Sequence, residues 1–146
     1  MPDGSASDEA AGGGAGDRVS AIGVGVDLVE VERVRRMLAE KGAHVFDRLL
    51  TVAEAAYCRT RPDPAEHVAV RLAAKEAVYK ALQGSDAARG IGWRDIEVVR
   101  APDGRPDVVL LGLAAARARE LRVSHVLLSL SHTHQAAVAV AMLSTD

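Results

Sequence analysis

The sequence has a single cysteine, Cys58, so no disulfide can form within the chain and no cysteine-based zinc site can be built. One Trp, two Tyr and one Phe leave no aromatic platform for stacking bases, and a formal net charge of −2 gives no bulk attraction to a phosphate backbone. Nucleic-acid binding is therefore excluded as a function class. No uninterrupted apolar run approaches the ~20 residues that cross a bilayer, and no basic segment followed by an apolar stretch opens the sequence. The expectation is a soluble, cytoplasmic protein with no membrane partner. Internal repeats are also absent. What the 146 residues do have is 49% hydrophobic content, enough for one core and too little for two.

Residues 1–20 are Gly, Ala, Ser and Asp with almost nothing to bury, and read as a disordered N-terminal tail. Gly12 to Gly16 has no preceding strand and is a poor phosphate loop. Residues 21–146 read as a single domain. Ile22, Val24 and Val26 alternate with Gly23, Gly25 and Asp27, the period of a strand whose glycine face lets another backbone or a ligand come close. Val31, Val34 and Leu38 recur at helical spacing up to Gly42. Arg33, Arg35 and Arg36 point elsewhere on that helix. A solvated face and a docking surface for an acidic partner explain this basic cluster equally well. Thr51 and Glu54 form a capping box that starts a short helix through Tyr57.

The most informative stretch is Pro62 to Gly84. Asp63 reads as an N-cap, Pro64 as the first helical residue, Glu66 as the closing member of a capping box, and Gly84 as a left-handed stop. Apolar residues nearly encircle this helix, which predicts burial, yet it carries Arg71, Lys75, Glu76 and Lys80. Charges there need partners. By spacing alone, salt bridges such as Glu76 to Lys80 explain them more simply than a ligand does. Beyond it, 85–92 reads as a loop, Trp93 to Arg100 and Asp107 to Leu111 as a hairpin turning at Asp103-Gly104, and Leu113 to Leu121 as a helix. Val123 to Ser131 and Ala136 to Leu143 read as a terminal hairpin joined by His132 to Gln135.

The string Arg71-Leu72-Ala73-Ala74-Lys75-Glu76-Ala77-Val78-Tyr79-Lys80-Ala81-Leu82 resembles the central motif of holo-[acyl-carrier-protein] synthases, the short class of 4′-phosphopantetheinyl transferases. Further matches follow in order: Gly25-Val26-Asp27, Leu50-Thr51 with Glu54, Gly90-Ile91-Gly92, Asp95-Ile96-Glu97, Gly104 with Pro106, and Ser129 to Thr133. Together they span Ile22 to Leu143. The chain departs from the pattern at Leu72, where the family usually has an aromatic, and in its N-terminal tail; His134 has no clear counterpart.

The resemblance implies an α+β fold, a small mixed domain with a mainly antiparallel sheet packed by a long central helix. It implies transfer of 4′-phosphopantetheine from coenzyme A to a serine of an acyl carrier protein, releasing adenosine 3′,5′-bisphosphate. Attack by a hydroxyl at phosphorus calls for neutralised phosphate charge, and Mg²⁺ held by Asp27 and Glu76 is the implied means. Lys75 is implied at the leaving phosphate, Arg71 and Lys80 as further phosphate contacts, and Ser131, His132 and Thr133 as a coenzyme-contacting turn. Glu76, a metal-bound water or His132 could accept the serine proton. Arg33 and Arg36 are implied contacts to an acidic carrier protein, and a homotrimer with coenzyme A between subunits is the implied assembly. A non-catalytic module of the same fold would be expected to have lost one of the two carboxylates. A P-loop nucleotidase would need a Gly-Lys loop that is not in the sequence.

Overall fold

The computed structural model describes residues 20–145. The disordered-tail reading of residues 1–20 therefore falls almost wholly outside the described residues. In chain order the elements are β1 (Ser20–Glu30), α1 (Val31–Lys41), α2 (Ala43–Leu49), α3 (Val52–Arg59), α4 (Pro64–Ala81), β2 (Ile96–Arg100), β3 (Pro106–Leu110), α5 (Gly112–Glu120), β4 (His125–His132) and β5 (Ala136–Thr145). Strands β1, β5 and β4 form one sheet in that order, and β2 pairs with β3 in a second; every pairing is antiparallel. The α+β expectation and both hairpins are what the fold contains.

Helix α4 is the core. Val68, Ala69, Ala73, Ala74, Ala77 and Val78 are fully buried along it. Its small side chains let β1 lie almost on its backbone: a Cβ at Gly25 would stand 1.9 Å from the Ala77 carbonyl oxygen, and one at Gly23 2.6 Å from that of Ala81. The glycine face of β1 is thus a helix-packing face, and Asp27, two residues further on that face, comes down beside α4. From β5, Ala137, Ala139, Ala141 and Leu143 cover the same helix.

The other face of this sheet is apolar and is not covered by the described residues. Val24, Val26 and Leu28 are 57–65% exposed on β1, with Val140 and Met142 of β5 opposite Val26 and Val24 and Leu127 of β4 beyond.

Three local readings need correction. Asp63 makes no side-chain cap; its carboxylate is taken by Arg35 of α1 at 2.8 and 3.3 Å, and Glu66 also leaves the capping box for the turn after β4. Trp93 to Asp95 is a 3₁₀ turn rather than strand, because the Asp95 carboxylate accepts the Gly92 N–H. Ala43 to Leu49, left unassigned by the sequence, is helical. The capping box at Thr51 and Glu54 forms as expected.

Candidate active site

Two groups of functional side chains stand on different sides of α4. The first centres on Asp27 and Glu76, which border one cavity of about 160 Å³ together with Arg33, Met37, Leu72 and Trp93. Burial, reinforced by the nearby Asp27 charge, pushes the Glu76 carboxyl above its ordinary range. Lys80 does not pair back along the helix to Glu76. It reaches β1, donating to Asp27 Oδ1 at 3.0 Å and to the Val26 carbonyl at 3.1 Å. Leu72, at the position that departs from the resembled pattern, is buried on the wall of this cavity.

These residues suit a hard divalent cation. Two half-buried carboxylates repel across one cavity, and such repulsion is what a cation relieves. Among the described residues no three of His, Cys, Asp and Glu gather into a cluster, and Asp27 and Glu76 are the two carboxylates on this cavity. That donor set fits Mg²⁺, which keeps several waters, and not a dedicated cage of protein ligands.

Lys75 is elsewhere. Its ammonium is 1% exposed and its three donors meet Glu54 Oε1 at 2.6 Å, the Trp93 carbonyl at 2.8 Å and the Ile96 carbonyl at 2.5 Å. Burial lowers its pKa and the Glu54 carboxylate opposes that shift. In this structure all three N–H groups of Lys75 bond within the protein, and the expectation that it acts at the leaving phosphate is carried forward as a proposal. Glu54 is the hub that sequence reasoning credited only with a cap. Its Oε1 also accepts the Thr51 N–H and its Oε2 the Val98 N–H, so one carboxylate ties α3, α4 and β2 together.

The second group lines a separate cavity, bounded by Tyr57, His67, Arg71, Arg100, Gly104 and His132. Arg71 lies 4.3 Å over the Tyr57 ring, donates to the His67 carbonyl at 3.3 Å, and keeps a buried Nε that has no partner among the described residues. An orphaned buried guanidinium nitrogen costs stability unless an anion meets it. Burial first, then Arg71 and Arg61, depress the His67 pKa. His132 reaches this cavity from the end of β4. Thr133 shapes the turn after it, its Oγ1 accepting from the Gln135 and Ala136 N–H groups, and Ser131 is exposed beside them. So Arg71, His132 and Thr133 share one region, while Asp27, Glu76, Lys80 and Arg33 share another. Five residues of helix put Arg71 about 140° around α4 from Glu76. Arg36 is exposed on α1, within about 60° of Arg33.

Residues 23–141 match the model of the 4′-phosphopantetheinyl transferase superfamily. The chain is 48% identical over 110 residues to a holo-[acyl-carrier-protein] synthase of Syntrophotalea carbinolica, covering 75% of this chain and 85% of that one. It is 40% identical over 122 residues to that of Geobacter metallireducens, covering 84% and 96%. Among solved structures, a holo-(acyl-carrier-protein) synthase of Bacillus anthracis in complex with CoA (3′,5′-ADP) superposes with a TM-score of 0.68 at 30% identity, covering 86% of this chain and 98% of that one.

Proposed function

The chain belongs to the 4′-phosphopantetheinyl transferase superfamily, and from that premise we infer that it is a holo-[acyl-carrier-protein] synthase, which transfers 4′-phosphopantetheine from coenzyme A to a serine of an apo acyl carrier protein. The observation that carries the reading to the residues is the pair Asp27 and Glu76 on one cavity, with Lys80 at Asp27. A module released from catalysis has no reason to keep two carboxylates half-buried against each other.

In this reading Asp27 and Glu76 hold Mg²⁺, which supplies charge neutralisation at the pyrophosphate. Lys80, half exposed on the same wall, adds a mobile positive charge for a phosphate oxygen. Arg71, with its unpartnered Nε, and the turn Ser131, His132 and Thr133 bind coenzyme A through its phosphates. Glu76 and His132 remain the two side chains suited to accept the serine proton. Arg33 borders the carboxylate cavity and Arg36 stands beside it on α1, so an acidic carrier protein docked on α1 would bring its serine to the metal site. The cytoplasm, where carrier proteins and coenzyme A meet, is the place for this reaction, and no helix among the described residues is long and apolar enough to cross a membrane.

The assembly we propose is a homotrimer with coenzyme A held between neighbours. Two features support it. One chain keeps its anion-binding residues and its carboxylate pair in cavities with no common lining residue, on different sides of a buried helix. A second copy can bring its own Arg71 and His132 to this copy's Asp27 and Glu76. The exposed Val24, Val26 and Leu28 stripe, running down to Asp27, supplies apolar surface for that contact.

The test is incubation of the purified protein with coenzyme A, Mg²⁺ and a panel of apo-carriers, followed by intact carrier mass. Gain of one phosphopantetheine on at least one carrier is expected, with none when the metal is chelated. No gain on any carrier would overturn the assignment; full gain under chelation would remove the metal from it.

A further inference from the structure

Glu66 lies in the first turn of α4 and is the least exposed member of a three-residue contact. Its side chain is 14% exposed, while those of His132 and His134 are 44% and 96% exposed. Its Oε1 stands 2.8 Å from His132 Nδ1 and its Oε2 3.4 Å from His134 Nδ1. His132 ends β4 and His134 lies in the turn that follows, which is fixed at its other end by the Val31 N–H donating to the Gln135 carbonyl at 2.9 Å. A carboxylate oxygen accepts hydrogen bonds, so this contact is a hydrogen bond when the His132 ring carries its hydrogen on Nδ1. An unconstrained neutral imidazole prefers the opposite tautomer. Held this way, His132 keeps Nε2 for the cavity that it lines with Arg71 and Tyr57.

We propose that Glu66 is a positioning residue for coenzyme A: it sets the tautomer and direction of the His132 imidazole, and His134 gives the turn a second hold on the same carboxylate. The proposal rests on the transferase reading and on His132 as a coenzyme contact. It differs from a plain ion pair, which would hold the turn to α4 and have no preference for where the ring hydrogen sits. A buried acceptor gripping one ring nitrogen so that the other meets a ligand is the arrangement by which carboxylates orient ligating histidines elsewhere.

The test pairs nitrogen-15 NMR of the full chain's histidines with steady-state kinetics. The wild-type His132 ring should show hydrogen on Nδ1, and Glu66→Ala should shift it toward Nε2. Glu66→Ala should raise KM for coenzyme A about tenfold, as loss of a ligand-orienting carboxylate does. Glu66→Gln, whose amide oxygen can still accept from Nδ1, should recover most of the loss. In a His132→Ala background, Glu66→Ala should add nothing further. Should the alanine variant not fold, Glu66→Met fills the space without accepting a hydrogen bond. A wild-type ring with hydrogen on Nε2, or equal damage from Glu66→Ala with and without His132, would overturn the proposal. A wild-type protein that modifies no carrier would instead sink the transferase reading, since the ring signature needs no turnover.

Discussion

The Cβ that Gly25 lacks would sit 1.9 Å from the Ala77 carbonyl oxygen, so the distance between β1 and α4 is set by the absence of one methyl group. That contact fixes Asp27 beside Glu76. Gly25→Ala should therefore force the strand off the helix, destabilising the fold by about 1–3 kcal/mol or more and separating the carboxylates. Thermal melts and transfer assays check this; a variant with unchanged melting and activity would show that the contact does not place the site.

Asp27→Ala and Glu76→Gln should each reduce transfer at least about 100-fold with the fold intact, because charge neutralisation at phosphorus is the dominant catalytic term. Mg²⁺ should raise the melting temperature of the wild type and not of either variant. Near wild-type transfer by a folded variant at saturating Mg²⁺ would remove that residue from the metal site.

Two lysines five residues apart should behave oppositely. Lys75→Ala leaves Glu54 buried and uncompensated and should cost about 3–5 kcal/mol of stability. Lys80→Ala removes a half-exposed pair worth about 0–1 kcal/mol, so melting should barely move while turnover falls. Urea denaturation of both variants decides the matter; a stable Lys75→Ala would contradict the buried ion pair.

A single acid on the outer sheet face, Val26→Asp, should break the association of copies without unfolding the monomer, since Val26 is 57% exposed within one chain. Sedimentation should show a shift from trimer to monomer with loss of transfer. A fully active monomer would end the shared-site reading.

His67 should make stability pH-dependent. Burial, Arg71 and Arg61 hold its folded pKa below the ordinary imidazole value. Between those two values the unfolded chain binds a proton that the folded one refuses, so stability rises with pH across that window and falls on acidification through it. Melting curves from pH 7 to about pH 5 should show this drop. His67→Phe, which keeps an aromatic ring against Tyr57, should flatten it. An unchanged slope in the variant would assign the acid sensitivity to other groups.

Much of this molecule is legible in the order of its residues. Period-two alternation placed β1, two β-suited runs placed the terminal hairpin, the Asp-Gly turn placed β2 and β3, and Thr51 with Glu54 wrote a capping box that the structure contains. The glycine face of β1 was readable as a surface of close approach, though not what would approach it. These signals succeed because they concern backbone geometry over a few residues. The partners of the charged side chains were not readable in the same way. Asp63 and Glu66 look like caps locally, but Arg35 lies 28 residues before the first, and His132 and His134 lie 66 and 68 residues after the second. Lys75 and Lys80 are the same residue type on the same helix, yet Glu54 buries one and Asp27 draws the other to the cavity wall. A cap and a distant ion pair differ by no more than about a kcal/mol, so the local sequence cannot choose between them. Packing of α1, β1 and the β4–β5 turn around α4 brings the distant groups within 3.4 Å, and that proximity decides which carboxylates face the candidate site and which hold it in place.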